Sequence, residues 1–121
     1  MVPVQREGES IMSTVILLNN DQMGVGDRDL GQKVLGNCLK KIGSFTDLEA
    51  IALYNAGVKL AAKDSPVAVE LSLLHERGVD ILACVTCVNF YGLADKLIVD
   101  KTSSLDDILA VMKRAERVIT L

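Results

Sequence analysis

The chain has 121 residues, half of them apolar, with 13 Lys and Arg against 16 Asp and Glu. That length and apolar content support one domain with its own core and no need of disulfide staples. The slight acidity, with no basic tract longer than Lys40-Lys41, argues against nucleic acid as a partner, and no stretch approaches the apolar length needed to span a bilayer.

Residues 1–11 are polar, contain Pro3 and Gly8, and precede a second methionine, Met12. They read as a flexible N-terminal tail or linker, with neither the charge pattern nor the apolar run of a secretion signal. One domain is expected over 12–121. With three cysteines, an odd number, and no export signal, the expected location is a reducing cytoplasm.

From Met12 the sequence alternates strand-like and helix-like segments. Ser13 to Leu18 is short, apolar and β-branched, and Asn19-Asn20-Asp21 breaks it, as expected for a strand buried on both faces. Leu30, Val34, Leu35, Cys38, Leu39 and Ile42 recur at helical spacing before Gly43, a predicted C-terminal cap. Ala50 to Tyr54 repeats the strand signal. Ser65-Pro66 reads as an N-cap with proline at the first helical position, and Val67, Leu71 and Leu74 mark one face ahead of Gly78.

Val79 to Ala83 reads as a buried strand that runs directly into Cys84-Val85-Thr86-Cys87. Asn89 to Lys96 is expected to be a short helix or irregular turn, and Leu97 to Val99 a weaker strand. Ser104 to Asp107 resembles a capping box, opening a helix whose predicted buried face is Leu105, Ile108, Val111, Met112 and Ala115. Val118 to Leu121 is a predicted edge strand. The order implies an α/β fold, a mainly parallel sheet covered by helices on both faces, with right-handed crossovers.

The Cys-x-x-Cys carries the chemistry. In a parallel sheet, ligands and reactive groups gather at the carboxyl ends of strands, where main-chain N–H groups favour an anion. A thiolate there should titrate below the free value of about 8.5. A single cysteine in this place would read as ordinary core, since free cysteines are among the most buried residues. A spaced pair at a strand end points to sulfur chemistry, with Cys84 and Cys87 as the reactive residues.

Asn20, Asp21 and Asn55 fall at the ends of the first two strands and are candidates for the same pocket, as is Thr86, whose hydroxyl and N–H suit a terminal sulfur; all four residues are also of types common in turns. Lys59 would offer a positive charge, although a solvated helix lysine is its default. Gly24-x-Gly26 lacks the third glycine spacing and the acidic residue of a dinucleotide loop and reads as a structural turn. A zinc site would need Cys38 and His75 beside the pair, and both have ordinary helical readings. No metal and no cofactor is expected.

The motifs Gly24-Val-Gly-Asp-Arg-Asp-Leu-Gly31, Tyr54-Asn-Ala-Gly-Val-Lys-Leu60 and Gly78-Val-Asp-Ile-Leu-Ala-Cys-Val-Thr-Cys-Val88, followed by Tyr91-Gly92-Leu93, resemble the DsrE/DsrF-like (DsrEFH) sulfur-relay superfamily. The resemblance is greatest to the C-terminal domain of YedF-type selenium metabolism proteins. It implies a three-layer α/β/α sandwich with a mainly parallel five-stranded sheet, flavodoxin-like in general appearance, a persulfide carried on Cys84, persulfide donor and acceptor proteins such as a TusA-like partner, and a homo-oligomer, trimeric or hexameric. Two features depart from the YedF-type pattern: Val85 stands where glycine is usual, and no TusA-like domain precedes this one. Three function classes follow: a sulfur or selenium carrier with Cys87 as resolving thiol, a small dithiol redox protein, and a non-catalytic oligomeric binding module.

Overall fold

In the computed structural model, residues 13–121 are described. The expectation of a tail over 1–11 lies outside them. Four parallel strands, β1 (Thr14–Leu18), β2 (Leu48–Leu53), β3 (Asp80–Ala83) and β4 (Arg117–Thr120), form one sheet in the order β3-β2-β1-β4. Every residue of β1 is buried, and from β2 Ala50 to Leu53 are fully covered. Burial on both faces explains the unbroken apolar runs, and each large side chain there, such as Ile16, Leu18 or Ile51, contributes about 1.5–3 kcal/mol.

Four α-helices and a 3-10 helix connect the strands. Helix α1 (Arg28–Ile42) starts at Asp27, whose carboxylate accepts the N–H of Leu30, and buries Leu35, Leu39 and Ile42. Leu30 and Val34, expected on the same inward face, are exposed. Gly43 does follow the helix, but with φ −59 it stays right-handed, so it is not the left-handed cap that glycine usually supplies. A 3-10 helix (Asn55–Ala61) follows β2, then α2 (Ala68–Glu76), with Val67, Leu71 and Leu74 buried as the spacing predicts. The Ser65 hydroxyl accepts the N–H of Val67.

Two expectations fail here. The sheet has four strands, not five: Leu97 makes only an isolated antiparallel bridge to Ala62, and Ile98 and Val99 pair with no strand. The exposed side of β3 is met instead by Ser103, bridged in parallel to Cys84. The segment after the cysteine strand is also helical earlier than expected, because α3 (Val85–Phe90) begins immediately after Cys84. The Val88 N–H closes the first turn on the Cys84 carbonyl at 2.9 Å, and full burial of Val88 holds that turn against the core.

Helix α4 (Leu105–Arg114) is capped by Ser104, whose hydroxyl accepts the N–H of Asp107 at 3.0 Å. Of its five predicted inward residues only Ile108 is buried; Leu105 is exposed, and Val111, Met112 and Ala115 are intermediate. The connection from β2 runs through α2, which packs beside α1, whereas the connection from β3 to β4 runs back across the sheet through α4. Right-handed crossovers therefore send the chain to opposite faces as it leaves β2 and β3. A crevice opens at the carboxyl ends of those two neighbours, the place where open parallel sheets hold their ligands.

Candidate functional site

That crevice contains both cysteines. Cys84 is the residue after β3 and the N-cap of α3, with φ −60 and ψ 122; Cys87 lies one turn further on. Val85 takes the first helical position with no left-handed backbone, so its branched side chain is accommodated without strain. Cys84 is buried, Cys87 half-buried, and both are free thiols.

Burial pushes the Cys84 thiol up, but the N–H and thiol of Cys87 and the N–H and hydroxyl of Thr86 all act on its sulfur and outweigh that, leaving it below its ordinary value. Cys87 moves the other way. Burial raises it, the N–H of Asn55 pulls it down, and the neighbouring Cys84 thiolate raises it further. The two thiols are thus displaced in opposite directions, Cys84 toward the thiolate and Cys87 toward the thiol.

The second wall comes from the end of β2. The main-chain N–H of Asn55 donates to Cys87 Sγ at 3.0 Å, and the Tyr91 hydroxyl donates to Asn55 Oδ1 at 3.3 Å. Lys59 Nζ sits 4.5 Å from the centroid of the Tyr91 ring, on which it is held by cation–π attraction. A cavity of about 680 Å³ lies over the thiols. Its lining includes Tyr54, Asn55, Thr86 and Tyr91, and its outer wall is Phe90 with Leu105, Leu109 and Met112 of α4.

Of the predicted pocket residues, Asn55 and Thr86 join Cys84 and Cys87 in this lining, while Asn20 and Asp21 do not. Asn20 is exposed and its side chain accepts the N–H of Asp21. Asp21 is 4% exposed and forms a two-pronged pair with Arg28, which holds its carboxyl below the usual range. Gln22 crosses the Gly24–Gly31 loop and donates to the carbonyls of Gly24 and Gly26, so this segment is a braced structural turn. Cys38 and His75 lie on α1 and α2, and among the described residues no three His, Cys, Asp or Glu side chains gather as a metal site.

Sequence reasoning missed the apolar wall. Phe90 is predicted in a short helix or turn, Leu105 on the buried face of the last helix, and Leu109 is not singled out; for Leu105 and Leu109 the available signal was the apolar stripe on α4.

Fold and site together define a small parallel α/β domain with two free thiols in the crevice at the carboxyl ends of β2 and β3. The sequence matches the family described as DsrE/DsrF-like over residues 11–121, and the chain belongs to that family. Similar solved structures include the ychN protein from E. coli, at 19% identity and a TM-score of 0.67 over 91% of this chain and 99% of that one. Others are MTH1491 from Methanobacterium thermoautotrophicum, a protein of unknown function (18%, 0.65, 91% and 99%), and BT1422 from Bacteroides thetaiotaomicron, a conserved protein of unknown function (20%, 0.63, 90% and 95%). At such identities the likeness is one of fold. A search of curated proteins returned no match. Among the described residues no helix is long and apolar enough to cross a membrane.

Proposed function

We propose that the domain is a sulfur relay protein that holds a sulfane atom as a persulfide on Cys84. The observation that supports this reading is the position of Cys84, buried at the end of β3 and lining the crevice beside Thr86 and Cys87, with its thiol held below the ordinary value. Sulfur relay is the family-level activity of DsrE-type proteins. In the loading step the Cys84 thiolate attacks the outer sulfur of a donor persulfide, forming Cys84–S–SH and expelling the donor as thiolate. An acceptor thiolate then attacks the outer sulfur and leaves with it, restoring the Cys84 thiolate. Alternatively Cys87, once deprotonated, attacks Cys84 Sγ and releases hydrosulfide with closure of a disulfide, which an external dithiol must reduce.

The same steps operate on selenium, the chemistry suggested by resemblance to YedF-type proteins. The partners would be separate persulfide donor and acceptor proteins, TusA-like in kind, in a reducing cytoplasm that keeps the thiols free. Exposed Leu30 and Val34 on α1 and Val69 and Leu73 on α2 support assembly into a homo-oligomer.

The spacing of Cys84 and Cys87 on one helical turn favours a second reading, a dithiol redox module. Intact mass after incubation with a sulfane-sulfur donor separates the two. One added sulfur mapped to Cys84, lost in Cys84→Ser and retained in Cys87→Ser, supports relay; loss of two hydrogens across the pair without added sulfur supports redox exchange. Full loading of Cys84→Ser would overturn the assignment.

A further inference from the structure

Sulfur enters the lining of the crevice from two elements. Cys84 and Cys87 come from the start of α3, and Met112 comes from α4 on the outer wall. Cys84 is the cap of α3 and Cys87 its third residue, the relation in which the two side chains meet across the first helical turn. Met112 and Cys87 are both partly buried and pack on the core. Sulfur relay makes no use of the methionine.

No hard charged ligand competes with these sulfurs. The other polar side chains of the lining, Tyr54, Asn55, Thr86 and Tyr91, are neutral, and among the described residues no three His, Cys, Asp or Glu side chains gather. Zinc, which takes a tetrahedral set of ligands, is short of partners here. Thiolate and thioether are instead the soft donors that select Cu(I), an ion stable with few ligands. Paired thiolates on Cu(I) leave a net negative charge, and the Asn55 N–H, 3.0 Å from Cys87 Sγ, is placed to offset part of it. Ile108, fully buried, keeps water from the inner end of the cavity.

We propose that Cys84, Cys87 and Met112 form a binding site for a single Cu(I) ion, held by both thiolates and the thioether. On binding, a copper–sulfur bond forms at each residue, the chelator that delivered the ion departs, and the thiol proton of Cys87 passes to water. Copper stays Cu(I) and no electron is transferred. Because the ion occupies Cys84, copper and a sulfane atom compete for the same sulfur. The sequence offered only half a zinc site because the methionine that completes a softer one lies on another helix.

The test titrates the reduced full chain with Cu(I) under anaerobic conditions, in competition with bicinchoninate, beside the capped tetrapeptide Cys-Val-Thr-Cys as the measure of what any unstructured dithiol binds. One copper per chain is expected, held about tenfold or more tighter than by the peptide, since the folded site presents its ligands in place. Cys84→Ser and Cys87→Ser should each abolish this binding, and Cys38→Ser should leave it intact, its thiol lying on α1 away from the cavity. Met112→Leu conserves volume, so the fold survives, and should weaken binding by about tenfold. X-ray absorption should show an all-sulfur shell around copper that loses one sulfur in Met112→Leu. Affinity no greater than the peptide's, nitrogen or oxygen in the copper shell, or full affinity in Met112→Leu would overturn the site. The relay reading is judged separately, by sulfur loading of the copper-free chain.

Discussion

Asn55 donates its main-chain N–H to Cys87 Sγ at 3.0 Å, joining the end of β2 to the helix that follows β3. It does so from a left-handed backbone, with φ 53, and among the described residues it is the one non-glycine with positive φ. Asparagine tolerates that conformation better than most residues because its short polar side chain finds local partners, here the Tyr91 hydroxyl. Asn55→Val should destabilise the fold by about 1–2 kcal/mol through backbone strain. Asn55→Gly should keep the N–H in place and leave the Cys87 titration unchanged. Thermal unfolding, with thiol alkylation followed against pH, separates the two effects.

The opposite displacements of the two thiols predict their order of reaction. Alkylation by iodoacetamide should mark Cys84 first and remain effective below the ordinary thiol value of about 8.5, with Cys87 reacting only at higher pH. Cys87→Ala removes the side-chain donor and should move the Cys84 profile up; Cys87→Ser retains a donor and should move it less. For stability the signs oppose. The depressed Cys84 contributes above its unfolded pKa and loses that contribution as pH falls through its folded value, while the raised Cys87 contributes below its unfolded pKa and loses it as pH rises through its folded value. Peptide mapping of the alkylated chain across pH reads the order directly.

Gly57 marks the closest approach of the 3-10 helix to β1. A Cβ built there would lie 2.0 Å from the carbonyl oxygen of Leu18, which also receives the N–H of Tyr54. The contact is with backbone, so the helix itself must move. Gly57→Ala should cost about 3 kcal/mol or more and shift Asn55 away from Cys87. Chemical denaturation measures the first effect, and earlier alkylation of Cys87 reports the second.

The pair of Asp21 with Arg28 sets behaviour in acid. Hydrogen bonding to Arg28 is the main reason the Asp21 carboxyl lies low, and its stabilising contribution is present above the unfolded value of about 3.9 and lost as pH falls through the folded value. Arg28→Gln should therefore move acid unfolding, followed by circular dichroism, to higher pH.

The architecture around these residues was readable in the chain because burial on both faces leaves a local signature. The apolar runs of β1 and β2, the inward stripe Val67, Leu71 and Leu74, and the Ser104 cap all express interactions between near neighbours, and so does a cysteine pair placed directly after a strand. What depends on distant neighbours was not readable. Leu97 to Val99 has the composition of a strand, but a strand exists only where a partner offers its free edge, and Leu97 finds only Ala62 while Ser103 reaches β3. Val85 to Phe90 is rich in β-branched and aromatic residues, yet it coils into α3 because the sheet ends at Cys84 and Val88 is drawn into the core. Likewise the stripe on α4 announced an apolar face without saying how much of it the sheet would cover. Sequence alone determined the parallel α/β order and the place of the thiols; only the tertiary structure brought Asn55, 32 positions away, to Cys87 and left Leu105 and Leu109 open over Cys84, since both outcomes depend on how the ends of β2 and β3 diverge.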